Sequence, residues 1–262
     1  MRKQRSISIH NSYKNIISNC CKVKISHDKH KRFFYFYKME NFLKSISEEP
    51  LKVIDASILL EKYIPISISS ENKELNFNIS SSKEWQNYID NYLLKNNAKV
   101  AYGGYLEKRD IYNRSEHFSK QKVENQRNIH LGIDLWCSAG TSVLAVLDGK
   151  IHSFKNNINF GDYGPTIILE HTIKNKVFYS LYGHLSLASI QHGKVGDKVY
   201  KGQVIGALGD NSVNGDYAPH LHFQLINNIE NYVGDYPGVC AKKDVEFYQK
   251  NCPNPLTLLK IN

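Results

Sequence analysis

Five side chains in this sequence could together perform hydrolysis by type and spacing. His130-Leu131-Gly132-Ile133-Asp134 and His220-Leu221-His222 each sit inside a strand-like run. Side chains alternate along a strand, so His220 and His222 share one face. His130 and Asp134, an even number apart, share another. Leu131, Ile133, Leu221 and Phe223 then face the apolar side. Two imidazoles and a carboxylate, from His130, Asp134 and His222, suit a zinc ion, one per chain, and three protein ligands leave the fourth position for water. That open position is the catalytic pattern, because the metal lowers the pKa of water from about 15.7 toward about 7. His220 is the poorer ligand candidate, since a closed shell would hold no water. Tyr182-Gly183-His184-Leu185-Ser186 adds a histidine at the end of a strand-like run. Hydrolysis needs a base for the water and a donor for the oxyanion. His184 and His220 fill these roles, and the sequence does not separate base from donor.

The elements that must position these groups are mainly strands. From Ala101 onward, short β-rich runs alternate with Gly, Asp and Asn: Ser142 to Val146, Thr166 to Glu170, Val177 to Tyr182, Val204 to Leu208 and His220 to Ile226. An antiparallel β barrel or sandwich is expected. An internal echo, Ala139-Gly140-Thr141-Ser142-Val143 leading to Asp148-Gly149-Lys150-Ile151, and Val195-Gly196-Asp197-Lys198-Val199 leading to Lys201-Gly202-Gln203-Val204-Ile205-Gly206, predicts duplicated half-barrel motifs. Residues 39–100 read as a small α+β region. Ser81-x-x-Glu84 is a capping box, Trp85, Tyr88, Ile89, Tyr92 and Leu93 form one helix face, and Leu75, Phe77 and Ile79 alternate as a half-buried strand would. The catalytic domain is expected over 101–235, and the turn-rich 236–262 wraps it.

Tyr105, Glu107, Arg109 and Arg114 precede the first ligand. They are expected to line the groove, Tyr105 as a hydrogen-bond donor near the metal and the charged residues toward a substrate carboxylate; a solvated charged loop is the alternative. His117, His152, His171 and His192 read as structural.

Charge location excludes a nucleic-acid role. Of 34 basic and 25 acidic residues, ten and one fall in residues 1–38, so the body balances at 24 of each. Residues 1–38 read as a disordered basic tail, or as untranslated upstream sequence if Met39 is the start. They contain no secretory signal pattern, which points to the cytoplasm, and no apolar run is long enough to span a membrane. Five cysteines without a C-x-x-C pair indicate reduced thiols, with a Cys240–Cys252 bridge as the alternative.

The stretch from Asn128 to Phe223 resembles the lysostaphin-type (LytM-like) zinc endopeptidase family. The resemblance rests on Ile129-His130-Leu131-Gly132-Ile133-Asp134-Leu135, Leu181-Tyr182-Gly183-His184-Leu185-Ser186, Val195-Gly196, Ile205-Gly206, Gly209 and Pro219-His220-Leu221-His222-Phe223. It implies duplicated half-barrels, zinc on His130, Asp134 and His222, assistance from His184 and His220, and hydrolysis of peptide bonds in peptidoglycan cross-links or a related small peptide. Tyr105-x-Glu107-x-Arg109, Phe160-Gly161-Asp162-Tyr163-Gly164-Pro165 and Gly234-Asp235-Tyr236-Pro237-Gly238 resemble a subgroup of such domains fused to aminotransferases. That resemblance implies a cytosolic amidohydrolase acting on a small-molecule amide. Two further classes remain: a non-catalytic binding scaffold of the same fold, and a carrier domain related to lipoyl or phosphohistidine modules. The first has no need of five intact site residues, and the second none of Asp134.

Overall fold

The computed structural model describes residues 39–114 and 125–261. The basic tail, Cys20, Cys21, Ser115 to Phe118 and the Arg114 side chain lie outside the described residues.

Among the described residues, alternating and β-branched runs become twelve strands: β1 (Tyr63–Pro65), β2 (Val100–Gly103), β3 (Arg127–His130), β4 (Ile133–Trp136), β5 (Ser142–Leu144), β6 (Gly149–Asn157), β7 (Gly164–Ile173), β8 (Lys176–Gly183), β9 (Lys198–Val199), β10 (Val204–Ala207), β11 (His220–Ile226) and β12 (Val239–Ala241). Eight form one sheet in the order β1-β2-β4-β11-β8-β7-β6-β9; β5 pairs with β10 and β3 with β12. The protein is mainly β, as expected. The large sheet runs in order from β1 to β9, and β1 pairs with β2 in parallel. The two echoed segments exchange strands. β5 of the first pairs with β10 of the second, and β6 of the first with β9 of the second.

Residues 40–262 group as one compact unit. β1 joins the main sheet through β2, which itself pairs with β4. Helix α1 (Ser82–Lys95) packs Trp85 and Ile89 into a core shared with Ala101, Trp136 and Tyr217. Ser81 caps α1, its hydroxyl accepting from the Glu84 amide at 3.2 Å. The Glu84 carboxylate reaches back to the Asn78 amide at 2.9 Å rather than to the cap residue's own N–H. The strand expected at Leu75, Phe77 and Ile79 is absent. Those residues lie in irregular chain and pack on α1, with Phe77 edge-on to Trp85 at 4.9 Å. The three apolar positions are satisfied by packing on a helix, with no neighbouring strand to complete a ladder.

At the C-terminal end, β12, α2 (Val245–Asn251) and α3 (Leu256–Leu259) lie against the body, and Leu259 accepts from the Leu51 amide at 2.8 Å. Cys137, Cys240 and Cys252 are buried free thiols, so the alternative of a Cys240–Cys252 bridge falls. No helix among the described residues is long and apolar enough to cross a membrane.

Candidate metal centre

β11 lies between β4 and β8 and carries His220, His222 and Gln224 on one face, with the fully buried Leu221, Phe223 and Leu225 on the other. Register brings distant residues together: His222 stands opposite Asp134 on β4 and opposite Gly183 on β8. His184 follows Gly183 at once, in the left-handed region at φ 62°. Such a backbone costs a non-glycine residue about 1–3 kcal/mol and persists only where its surroundings fix it. Here the His184 amide donates to the Tyr163 carbonyl at 2.8 Å, and the His184 carbonyl accepts from the Gly209 amide at 2.9 Å.

His130 arrives by a different route from the one its spacing suggests. No single strand runs from 130 to 134; the chain leaves β3 at His130, bends through Leu131 and Gly132, and re-enters as β4. The bend lets Gly132 lie against the His222 ring. A Cβ there would stand 2.8 Å from His222 Cε1 and 2.6 Å from the Phe223 carbonyl.

Three ligand atoms converge. His130 Nε2 lies 2.8 Å from His222 Nδ1, and Asp134 Oδ1 lies 3.2 Å from His222 Nδ1 and 3.3 Å from His130 Nε2. Zinc–ligand bonds of about 2.0–2.1 Å at tetrahedral angles separate ligand atoms by about 3.3 Å, so this triangle has the size of one face of a zinc tetrahedron. It is also the group of His, Cys, Asp or Glu side chains among the described residues able to hold a metal ion.

Neighbouring acceptors fix each ring. His130 Nδ1–H donates to the Gly104 carbonyl at 2.9 Å, which leaves Nε2 as a lone pair. The Gln224 amide nitrogen donates to the Pro237 carbonyl, so its oxygen is the acceptor for His222 Nε2–H at 2.9 Å and Nδ1 is the lone pair. His184 Nδ1–H donates to the Asn214 carbonyl at 2.8 Å and His220 Nδ1–H to the Ala218 carbonyl at 2.7 Å. Both assisting histidines thus keep Nε2 for the cavity. Their rings lie 4.2 Å apart, and His220 Nε2 is 3.9 Å from Asp134 Oδ1. His220 also stacks on Trp136.

All five side chains are buried. Burial, joined by the Arg109 charge, pushes the His130 pKa down to about 3. Burial, with His220 and His222, holds His184 well below the ordinary range, and burial likewise lowers His220. Burial would raise the Asp134 carboxyl, but His130, Arg109 and His220 outweigh it and hold it well below the usual carboxylate range. His130, His184 and His220 therefore rest neutral beside an ionised Asp134 carboxylate, the protonation state that metal binding requires of such groups.

The cluster floors a cavity of about 480 Å³. It is lined by the aromatic side chains of Trp85, Tyr112, Trp136 and Tyr217, with Val239 in the same apolar cluster, and by residues 159–163 and 235–238. Tyr217 ties the aromatic lining to the 159–163 segment by donating to the Gly161 carbonyl at 2.9 Å.

The residues before β3 are placed otherwise than expected. The Tyr105 hydroxyl donates to the Cys252 carbonyl at 2.7 Å, tying the C-terminal segment to the body instead of facing the metal. Glu107 accepts from the Ser67 hydroxyl, the Ile68 amide and Arg109 Nε, so it is neither free for substrate nor a solvated loop residue. Arg109 borders the cavity but is buried and bonded to Asp134 Oδ2. His171 is structural, between the Asp148 carbonyl at 2.8 Å and the Ser180 hydroxyl at 2.7 Å. Sequence reasoning passed over Gln224 and the carbonyls that orient the rings. Strand alternation signals Gln224, two residues beyond His222; nothing in the sequence signals the carbonyls of Gly104, Ala218 and Asn214.

Residues 128–233 match the model of peptidase family M23. The chain is 38% identical over 99 residues to the glycyl-glycine endopeptidase ALE-1 of Staphylococcus capitis, a match covering 38% of this chain and 25% of that protein. It is 32% identical over 109 residues to the peptidoglycan DD-endopeptidase ShyC of Vibrio cholerae, covering 41% of this chain and 22% of that protein. Among solved structures, the catalytic domain of lysostaphin from Staphylococcus simulans is 31% identical, with a TM-score of 0.32, covering 47% of this chain and 80% of that one. The chain thus spans about a quarter of the length of these curated relatives. Residues 128–233 are a peptidase M23 domain, homologous to lysostaphin-type endopeptidases.

Proposed function

We propose that this protein is a zinc-dependent metallopeptidase that hydrolyses peptide bonds in peptidoglycan cross-links or in a related small peptide. The observation that carries this reading is the convergence of His130 Nε2, Asp134 Oδ1 and His222 Nδ1, each turned inward by its neighbours. When bound there, zinc supplies Lewis acidity that activates water at neutral pH and polarises a carbonyl. The chain's own groups do the rest. His184 and His220 rest neutral with Nε2 toward the cavity, so either accepts a proton there. The same Nε2–H then donates to a developing oxyanion, or to a leaving amine. Because both rings are held by carbonyls at Nδ1, neither loses its aim when it changes protonation state. The aromatic wall keeps bulk water from these groups, which strengthens each polar interaction inside.

A second reading, hydrolysis of a small amide, is favoured by the cavity walls. About 480 Å³ falls within the about 300–1,000 Å³ typical of small-ligand pockets. Trp85, Tyr112 and Pro237 to Val239, all bordering the cavity, lie outside the family-matched stretch. These additions narrow the approach to the metal centre.

Both readings are tested by incubating zinc-loaded protein with purified peptidoglycan and with a panel of short peptides and amides, following newly released amino groups, with His220→Ala as control. Cleavage of peptidoglycan supports the first reading, and cleavage of the small panel alone supports the second. No cleavage of either would favour a non-catalytic scaffold.

A further inference from the structure

We propose that Arg109 is a positioning residue for the metal centre: it occupies Asp134 Oδ2 and so directs Oδ1 alone toward the metal. The inference rests on the zinc reading above. It concerns a residue outside the family-matched stretch, which begins at 128.

Arg109 is 2% exposed, and a guanidinium without partners in such a place would carry a large desolvation cost. It is held on several sides. Its Nε donates to Glu107 Oε2 at 2.8 Å, NH1 donates to Asp134 Oδ2 and lies 3.4 Å from the Tyr112 hydroxyl, and the cation sits 5.6 Å from the Trp136 ring centre. Glu107 is in turn fixed through its other oxygen by the Ser67 hydroxyl and the Ile68 amide at 2.6 and 3.0 Å. A chain of charge-assisted bonds therefore runs from residues 67–68 through Glu107 and Arg109 to the ligand carboxylate. Gly104 makes room for it. Its φ is +100°, and a Cβ there would fall 1.8 Å from Arg109 NH2 and 3.1 Å from His130 Nδ1. One glycine thus serves two inner groups, its carbonyl orienting His130 and its missing side chain admitting Arg109.

The carboxylate's two oxygens are consequently unequal. Oδ1 faces the nitrogens of His130 and His222, and Oδ2 is engaged behind by a permanent cation. A carboxylate without that partner is free to offer both oxygens to a metal, which would raise the coordination number and crowd the position that water needs. Lysine cannot replace the function fully, since one ammonium lacks the planar fork that spans Glu107 and Asp134 together.

The test compares wild type, Arg109→Met and Arg109→Lys by chelator competition for zinc and by the visible absorption of the cobalt(II) forms. Circular dichroism and melting of the metal-free proteins report folding. Arg109→Met is expected to weaken zinc binding about 10–100-fold and to lower the cobalt absorption as coordination rises; Arg109→Lys should lie between it and wild type in both. If Arg109→Met does not fold, Arg109→Lys decides alone, with the intermediate result supporting the proposal. Wild-type affinity and an unchanged cobalt spectrum in a folded Met variant, or in the Lys variant where only that folds, would overturn it. If wild type itself takes up no zinc, the zinc reading fails instead, an outcome distinct from failure of the Arg109 role.

Discussion

Gln224 Oε1 accepts the Nε2 proton of His222 at 2.9 Å, and the Gln224 amide nitrogen is spent on the Pro237 carbonyl and Cys252 sulfur. The glutamine therefore cannot flip without losing both donor contacts, and the His222 tautomer is set by the C-terminal segment. Gln224→Leu keeps the volume but removes the acceptor. Zinc affinity is expected to fall about 10–100-fold, measured by competition with a chelator of known affinity. An unchanged affinity would show that the tautomer is set in some other way.

Under the proposed mechanism, His184 and His220 act on substrate rather than on metal. Alanine at either position should reduce hydrolysis by about 10²–10⁴-fold while zinc content stays at the wild-type level. Loss of zinc in the His220→Ala protein would instead make His220 a ligand, despite its Nε2 lying 3.9 Å from Asp134 Oδ1.

Gly132→Ala tests the bend between β3 and β4. Its Cβ would press on the His222 ring and the Phe223 carbonyl, so the variant should bind zinc more weakly than wild type. Zinc titration with wild-type affinity would mean that the bend absorbs a methyl group.

The metal-free protein should be labile in mild acid. Burial lowers His130, His184, His220 and His171 in the folded state, whereas unfolded histidines titrate near about 6.5. Between 6.5 and the folded values, the unfolded chain binds more protons. Stability from these groups is complete above about pH 6.5 and lost as pH falls toward the folded values, about 3 for His130. The melting temperature of the metal-free protein should drop from pH 8 to pH 5. A flat or rising profile over that interval would contradict the burial of neutral imidazoles.

Trp85→Ala tests whether the region before β2 shares the catalytic core. Trp85 is 3% exposed, donates from its indole N–H to the Ile79 carbonyl and borders the metal cavity. Its removal should cost about 3–5 kcal/mol of unfolding free energy, read by denaturant melting. A change below about 1 kcal/mol would make α1 an appendage rather than part of the core.

The convergence of the candidate ligands was legible in the sequence because alternation on β11 dictates which side chains face together, and His220 and His222 both lie inside that strand. His130 and Asp134 were legible by type and resemblance but for a physical reason other than strand parity, since a bend at Gly132 intervenes. Arg109 and Glu107 looked like substrate groups because a sequence shows charge without showing burial. Only tertiary packing reveals that both charges are spent on each other and on Asp134. The Leu75 to Ile79 run shows the same limit in the apolar residues: period-two patterning needs a neighbouring strand before it becomes one, and α1 took that place.

A single zinc ion is expected on His130, Asp134 and His222. Elemental analysis of the purified protein, stripped of metal and then reconstituted with zinc, tests it directly alongside Asp134→Ala and His222→Ala. One zinc per wild-type chain, and little or none in either folded variant, is the expected result. A wild-type chain that takes up no zinc, or variants that keep a full equivalent, would contradict it.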